Sequence, residues 1–285
     1  MSATRIYRTA AGQRAVEQHY RDLLSHWPVP NTQQTITTRY GDTFVIASGP
    51  ETALAVIALQ GSGANSAMWR RQIRTWSQHL RVYAVDVIGE PGLSAPARPP
   101  LASDAHAEWL DDVLAGLGLT EAAMVGVSLG GWIAIDYATR RPGRVTRLAL
   151  LAPSGVGRRK LGVLLAAVLL RPFGRWGMRR TVRLVLGPAG SMSDVDRSAA
   201  EFALLVFQHF SPRMDAVPAF DDDTLRRLTM PVLAVVGGRD ALLDSDETRQ
   251  RLTTTVPQAI VRLLPEAGHL LPDQTMTVLQ FLESA

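Results

Sequence analysis

The stretch Ala122-Ala123-Met124-Val125-Gly126-Val127-Ser128-Leu129-Gly130-Gly131-Trp132 decides how the rest of the chain is read. Its first six residues form a short apolar run, the pattern of a strand covered on both faces. From Gly130 to Arg140 the pattern is helical, and Pro142-Gly143 closes it. Between strand and helix stands Gly126-x-Ser128-x-Gly130. A residue on so sharp a turn needs small neighbours two positions either side, because the backbone there is strained and tightly packed. The turn lifts the Ser128 hydroxyl above the carboxyl ends of the strands, beside the positive end of a helix. Ser128 is therefore the candidate nucleophile.

A serine hydroxyl is a poor nucleophile unless a base takes its proton. Of the 6 histidines, His19 and His26 fall in an N-terminal helical pattern, His79 ends a surface helix, His106 begins another, and His209 lies in a long insertion. Only His269, in Glu266-Ala267-Gly268-His269, sits just past an apolar run and reaches the sheet edge that carries Ser128. The base in turn needs a carboxylate to fix its tautomer and stabilise the imidazolium. Asp240, in Gly237-Gly238-Arg239-Asp240, follows the run Val232–Val236 and is the first candidate; Asp244 in the same loop is the second, and Asp246 suits a helix cap. The order Ser128, Asp240, His269 is that of a doubly wound α/β fold whose nucleophile sits on such a turn.

The surrounding pattern agrees. Thr35–Arg39 and Thr43–Ser48 flank Tyr40-Gly41-Asp42 as a hairpin. Buried-strand runs follow at Leu54–Leu59, Val82–Val87, Ala122–Val127, Leu148–Leu151, Val232–Val236 and Ile260–Leu264. Helical patterns cover residues 13–27, Ser66–His79, Asp104–Leu117, Gly130–Arg140 and Asp246–Thr255. The expected architecture is a mostly parallel eight-stranded sheet flanked by helices. The alternation breaks once, between Pro153 and Met230, over more residues than one βα connection needs. The chain thus divides into a core of residues 1–154 and 229–285 and a helical insertion of 155–228.

Composition narrows the function classes. The chain has 285 residues, 46% hydrophobic and 20% charged, ordinary for one large domain with a sizeable core. It has no cysteine, which excludes disulfides and thiolate metal sites and agrees with a cytoplasmic location. The N-terminus lacks the apolar run of a signal peptide, and the apolar stretch Leu161–Leu170 is too short to span a bilayer. The net charge of +4 comes with a single lysine, Lys160, and the basic cluster Arg158–Arg183 has no nucleic-acid-binding signature beside it. No phosphate loop, metal-ligand cluster or nucleotide fingerprint is present, so no cofactor is expected. The expected state is a monomer or homodimer.

These residues together resemble the α/β-hydrolase superfamily over nearly the whole chain. Within it, Asp86-Val87-Ile88-Gly89-Glu90-Pro91-Gly92-Leu93-Ser94 is similar to bacterial carboxylesterases of the carboxylesterase NP kind. Many relatives carry Gly-His where Glu90-Pro91 stands. The resemblance implies that Asp86 organises a turn and that Trp69 fills a packing position. It also implies an oxyanion hole made by the backbone N–H groups of Ser62 and Leu129, such donors contributing roughly 2.7–4 kcal/mol each. The oxyanion loop departs from the family's His-Gly by having Gln60-Gly61, whose amide can both donate and accept and so support the loop.

By the same resemblance, residues 155–228 form a cap over the serine. Leu161–Leu170, Phe173, Trp176, Phe202, Val206, Phe207 and Phe210 are then candidates to line an acyl or alcohol pocket, although such aromatics more often form cap core. The implied activity is cofactor-free hydrolysis of a small hydrophobic carboxylic ester through an acyl-enzyme. A lyase, thioesterase, C–C hydrolase or acyl-transferring, cyclising enzyme on the same fold is the alternative, and a non-catalytic binding protein is a third reading.

Overall fold

A computed structural model describes residues 6–160, 194–213 and 215–284, together with residues 162 and 180. Numbered in chain order, the strands are β1 Asn31–Thr38, β2 Gly41–Ser48, β3 Leu54–Leu59, β4 Leu80–Val85, β5 Ala122–Val127, β6 Val145–Leu151, β7 Val232–Gly237 and β8 Ala259–Leu264. They form one eight-stranded sheet in the order β1-β2-β4-β3-β5-β6-β7-β8. The hairpin partners β1 and β2 are antiparallel, and β2 also runs antiparallel to β4. From β4 onward every pairing is parallel.

Burial on both faces explains the near-continuous apolar strands. Along β3, Val56 and Ala58 point to one face while Ile57 and Leu59 point to the other, and all four are fully buried. The described helices are α1 Ala10–Ser25, α2 Arg70–Trp76, α3 Ala105–Gly116, α4 Leu129–Arg140, α5 Asp194–His209, α6 Asp222–Leu225, α7 Ser245–Thr255 and α8 Thr275–Glu283. Side chains of α3, α4 and α7 fill the core on the Ile57 face; those of α1, α2, α5 and α8 fill it on the Val56 face. No described helix is long and apolar enough to cross a membrane.

Several expectations shift by a few residues, for identifiable reasons. Strand β4 stops at Val85 rather than Val87, because Asp86 turns its carboxylate into the protein as an acceptor for the next loop. The helical pattern that follows β3 begins as a 3₁₀ turn, Ser66–Trp69, before α2. Helix α1 starts at Ala10 because Thr9 caps it, its hydroxyl accepting from Gly12 N–H at 3.0 Å. Helix α8 was not expected, although Val278, Leu279 and Leu282 recur at helical spacing and are buried. Asp244, not Asp246, is the cap of α7, accepting from Glu247 N–H at 3.0 Å. His106 begins α3 as expected but is buried, edge-on to Trp132, so its helix does not present it to solvent.

The described part of 155–228 contributes no strand to the sheet. Its helix α5 lies against α1: Phe202 stacks on His19 with ring centres 5.2 Å apart and also meets Tyr20. The chain before α1 pairs with the chain after α5, through Arg8 N–H to His209 O and Ser211 N–H to Ile6 O, both 2.8 Å. Phe202, Val206 and Phe210 are buried in the core on the Val56 face, with Phe210 edge-on to Tyr7 just before α1, so they take the packing role expected more often of such side chains; Phe207 is exposed. Leu161–Leu170, Phe173, Trp176 and most of Arg158–Arg183 lie outside the described residues.

Candidate active site

Ser128 sits at the carboxyl end of the central strand β5, where the chain turns into α4. Its backbone has φ 50° and ψ −108°, a left-handed conformation that costs a non-glycine residue about 1–3 kcal/mol. The flanking glycines make the turn possible. A Cβ on Gly126 would stand 2.5 Å from the Gly130 carbonyl oxygen, and one on Gly130 would stand 2.3 Å from the Leu59 carbonyl oxygen. Both clashes are with backbone, so neither position accepts a side chain without moving a strand. Ser128 N–H is held by the Leu151 carbonyl of the neighbouring strand at 3.0 Å.

His269 follows β8 and lies between the other two candidates. Its Nδ1 is 2.7 Å from Asp240 Oδ2, and its Nε2 is 3.0 Å from Ser128 Oγ. With the proton on Nδ1, the ring donates to Asp240 and accepts from the serine hydroxyl. Asp240 and His269 are buried, at 2% and 9% exposure, so solvent does not dilute their interaction. The other Asp240 oxygen accepts from the amides of Leu242 at 2.7 Å and Leu243 at 3.1 Å. Burial pushes the Asp240 carboxyl upward, but His269 and these two amides outweigh it and hold its pKa below the usual value. Asp244, the other candidate acid, spends its carboxylate on the α7 cap.

On the far side of β5 the loop of residues 60–63, the candidate oxyanion loop, follows β3. A Cβ built on Gly61 would lie 3.5 Å from Ser128 Cβ, which brings this loop into van der Waals range of the serine. Neither the Ser62 nor the Leu129 amide has an acceptor among the described residues. Gln60 is fully buried, and the orientation that satisfies its amide makes it a bridge: its nitrogen donates to the Val85 carbonyl at 2.6 Å and its oxygen accepts from Val87 N–H at 2.7 Å. Both ends of the amide are thus committed to the end of β4 and its following loop.

Asp86 occupies the turn as the resemblance implied. Its Oδ1 accepts from Ser66 N–H at 2.9 Å, Ser66 Oγ at 2.7 Å and Tyr20 Oη at 2.9 Å; its Oδ2 accepts from Leu93 N–H at 2.9 Å. Trp69 is buried against Trp76.

Three groups near the site have no role assigned to them from the sequence. Ser154 Oγ stands 3.4 Å from Ser128 Oγ; it follows β6, so its place on the same sheet edge was the available signal. Lys160 donates from Nζ to the Asp240 backbone carbonyl at 2.9 Å. Glu90, 2% exposed, accepts through Oε2 from Gly63 N–H at 2.7 Å and Ser62 Oγ at 3.2 Å. Among the described residues no group of three or more His, Asp or Glu side chains is arranged to hold a metal ion.

With this geometry in place, comparison with known proteins defines the class. Residues 56–279 match the alpha/beta hydrolase family, and the chain belongs to it. The chain is 33% identical over 271 residues to the "uncharacterized carboxylesterase nap" of Bacillus subtilis, covering 89% of this chain and 86% of that protein. It superposes on the crystal structure of the Bacillus subtilis carboxylesterase CesB (YbfK) with a TM-score of 0.82 and 29% identity, covering 96% of this chain and 99% of that one. The naproxen esterase (carboxylesterase NP) of Bacillus subtilis matches with a TM-score of 0.79 and 28% identity, over 97% and 95% of the two chains. The chain is a hydrolase of this fold, and its carboxylesterase relatives support ester hydrolysis.

Proposed function

We propose that this chain is a serine carboxylesterase that cleaves a small hydrophobic ester through an acyl-enzyme on Ser128. The observation that carries the reading is His269, within hydrogen-bond reach of Ser128 on one side and Asp240 on the other. In the proposed cycle His269 takes the Ser128 proton as the hydroxyl oxygen attacks the ester carbonyl. The amides of Ser62 and Leu129 receive the oxyanion. His269 passes its proton to the leaving alcohol, then draws a proton from water as the water oxygen attacks the acyl carbon, and gives that proton to Ser128 Oγ as the bond to the acyl group breaks and the acid leaves. Asp240 holds the ring in one tautomer throughout.

The likeness to a naproxen esterase supports an aromatic or otherwise apolar acyl group here. The insertion 155–228 acts as the cap in this reading. Turnover of p-nitrophenyl esters of graded acyl length, in the native chain and in Ser128→Ala, tests it. The expected result is activity in the native chain that the variant loses; full activity in the variant would overturn the serine mechanism. Cleavage of a thioester or a carbon–carbon bond in preference to every ester would select the alternative reaction class on the same residues.

A further inference from the structure

The oxyanion loop is fixed from both sides of Ser62, and the two anchors are of different kinds. Before it, Gln60 uses a neutral amide to join the loop to the end of β4. After it, Glu90 uses a carboxylate, which takes the Gly63 N–H at 2.7 Å and the Ser62 hydroxyl at 3.2 Å on the same oxygen. Asn65 adds a third tie, donating from Nδ2 to the Pro91 carbonyl at 2.8 Å.

A buried carboxylate is costly unless it is strongly hydrogen-bonded or paired. The Glu90 backbone takes part in the turn that Asp86 organises, but its carboxylate makes no bond within that turn. We propose that Glu90 is a positioning residue for ester cleavage: its ionised carboxylate clamps Gly63 and Ser62 so that the Ser62 N–H is held toward the developing oxyanion. The inference rests on the reading of Ser62 as an oxyanion donor.

The surroundings of Glu90 make this clamp sensitive to protonation. Burial pushes its pKa up to about 7, opposed by the Gly63 amide, by Arg98, by the Ser62 hydroxyl and by Arg213. Asp86 and the phenol of Tyr7 share the same neighbourhood. Arg98 comes from the loop after β4 and Arg213 from the insertion; Arg98 donates to the Ser211 carbonyl at 2.6 Å and Arg213 to the Pro99 carbonyl at 2.8 Å. The two cations that favour ionised Glu90 thus also tie its loop to residues 211–213. As pH falls through about 7 the carboxylate gains a proton and its charge-assisted bonds become neutral ones, roughly half as strong.

The test is the pH profile of kcat and KM for a p-nitrophenyl ester in the full-length chain, Glu90→Gln and Glu90→Asp, with Ser128→Ala in parallel. Above neutral pH, Glu90→Gln should lower kcat about tenfold, as partial loss of one oxyanion donor's alignment would, and change KM by less than about threefold. The part of the acid limb near pH 7 contributed by Glu90 should vanish, while thermal stability stays at or above that of the native chain. Glu90→Asp keeps the charge but is one methylene short of both partners, so its kcat should also fall; it carries the test if the glutamine variant does not fold. Native kcat and an unchanged acid limb in the folded variants would overturn the proposal while leaving Ser128 intact as nucleophile. Full activity of Ser128→Ala would instead remove the underlying reading, and this proposal with it.

Discussion

Asp240 and Glu90 are both buried carboxylates on the carboxyl edge of the sheet, in loops that leave β7 and β4, and each of those strands lies two places from the serine-bearing β5. Each supports a group on an adjacent loop: Asp240 supports His269 after β8, and Glu90 supports the Ser62 loop after β3. Their protonation behaviour is opposite. Asp240 has an imidazole and two amides across its two oxygens and is held below the usual carboxylate range. Glu90 directs one oxygen to an amide and a hydroxyl, and burial prevails, pushing its pKa to about 7. The balance between burial and the number and kind of donors decides which carboxylate stays ionised through the neutral range: Glu90 is the more deeply buried and has the fewer donors.

Four substitutions would break or sharpen this contrast. The largest effect is expected at Asp240→Asn, which keeps the shape but favours the wrong tautomer of His269. It should lower kcat about 10⁴-fold with little change in fold, as steady-state kinetics with circular dichroism would read. Next is Gln60→Leu, which leaves the Val85 carbonyl and Val87 amide buried without partners. A cost of about 1–3 kcal/mol for each unpaired group and a kcat loss of about a hundredfold are expected from denaturant melts and turnover.

Glu90→Gln is the third. A group whose folded pKa lies above its unfolded one contributes its stability below the unfolded value, and that contribution is lost as pH rises through the folded value. The raised value of about 7 against an ordinary 4.5 therefore destabilises the native chain above neutrality. The glutamine variant should be more stable there by on the order of 3 kcal/mol, and unchanged in acid, although its kcat is lower. Asp240→Asn should show the reverse trend, its stability deficit present above the acid range and fading as pH falls. The smallest effect is expected at Asp244→Ala, the neighbour that caps α7. It should cost about 1 kcal/mol in thermal melts and leave kcat unchanged, separating the cap from the acid in the same loop.

The contrast also marks what could be read without coordinates. Val56 and Ala58 against Ile57 and Leu59 are a local pattern, so the buried strands were legible from four letters each. Ser128 between Gly126 and Gly130 was legible because the clashes that demand glycine involve nearby backbone. Asp240 and His269 were legible as candidates by their places after strands, but Asp244 dropped out only once its cap bond was seen. Gln60 could be assigned a donor and an acceptor, yet its partners belong to another strand. Glu90 was unreadable for a stronger reason. Its pKa is set first by burial that no local pattern encodes, and is also touched by Arg213 from the insertion. For Phe202 and Phe210 a packing role was legible but the partners were not: His19 and Tyr20 of α1 and Tyr7 before it stand almost two hundred positions earlier in the chain.

Acylation of Ser128 is tested directly by rapid-quench mass spectrometry during p-nitrophenyl acetate turnover. One added acetyl group is expected, confined to the peptide containing Ser128, appearing together with the first equivalent of p-nitrophenol released and absent in Ser128→Ala. Sustained turnover by Ser128→Ala, or acetylation mapped to another residue that is required for turnover, would contradict it.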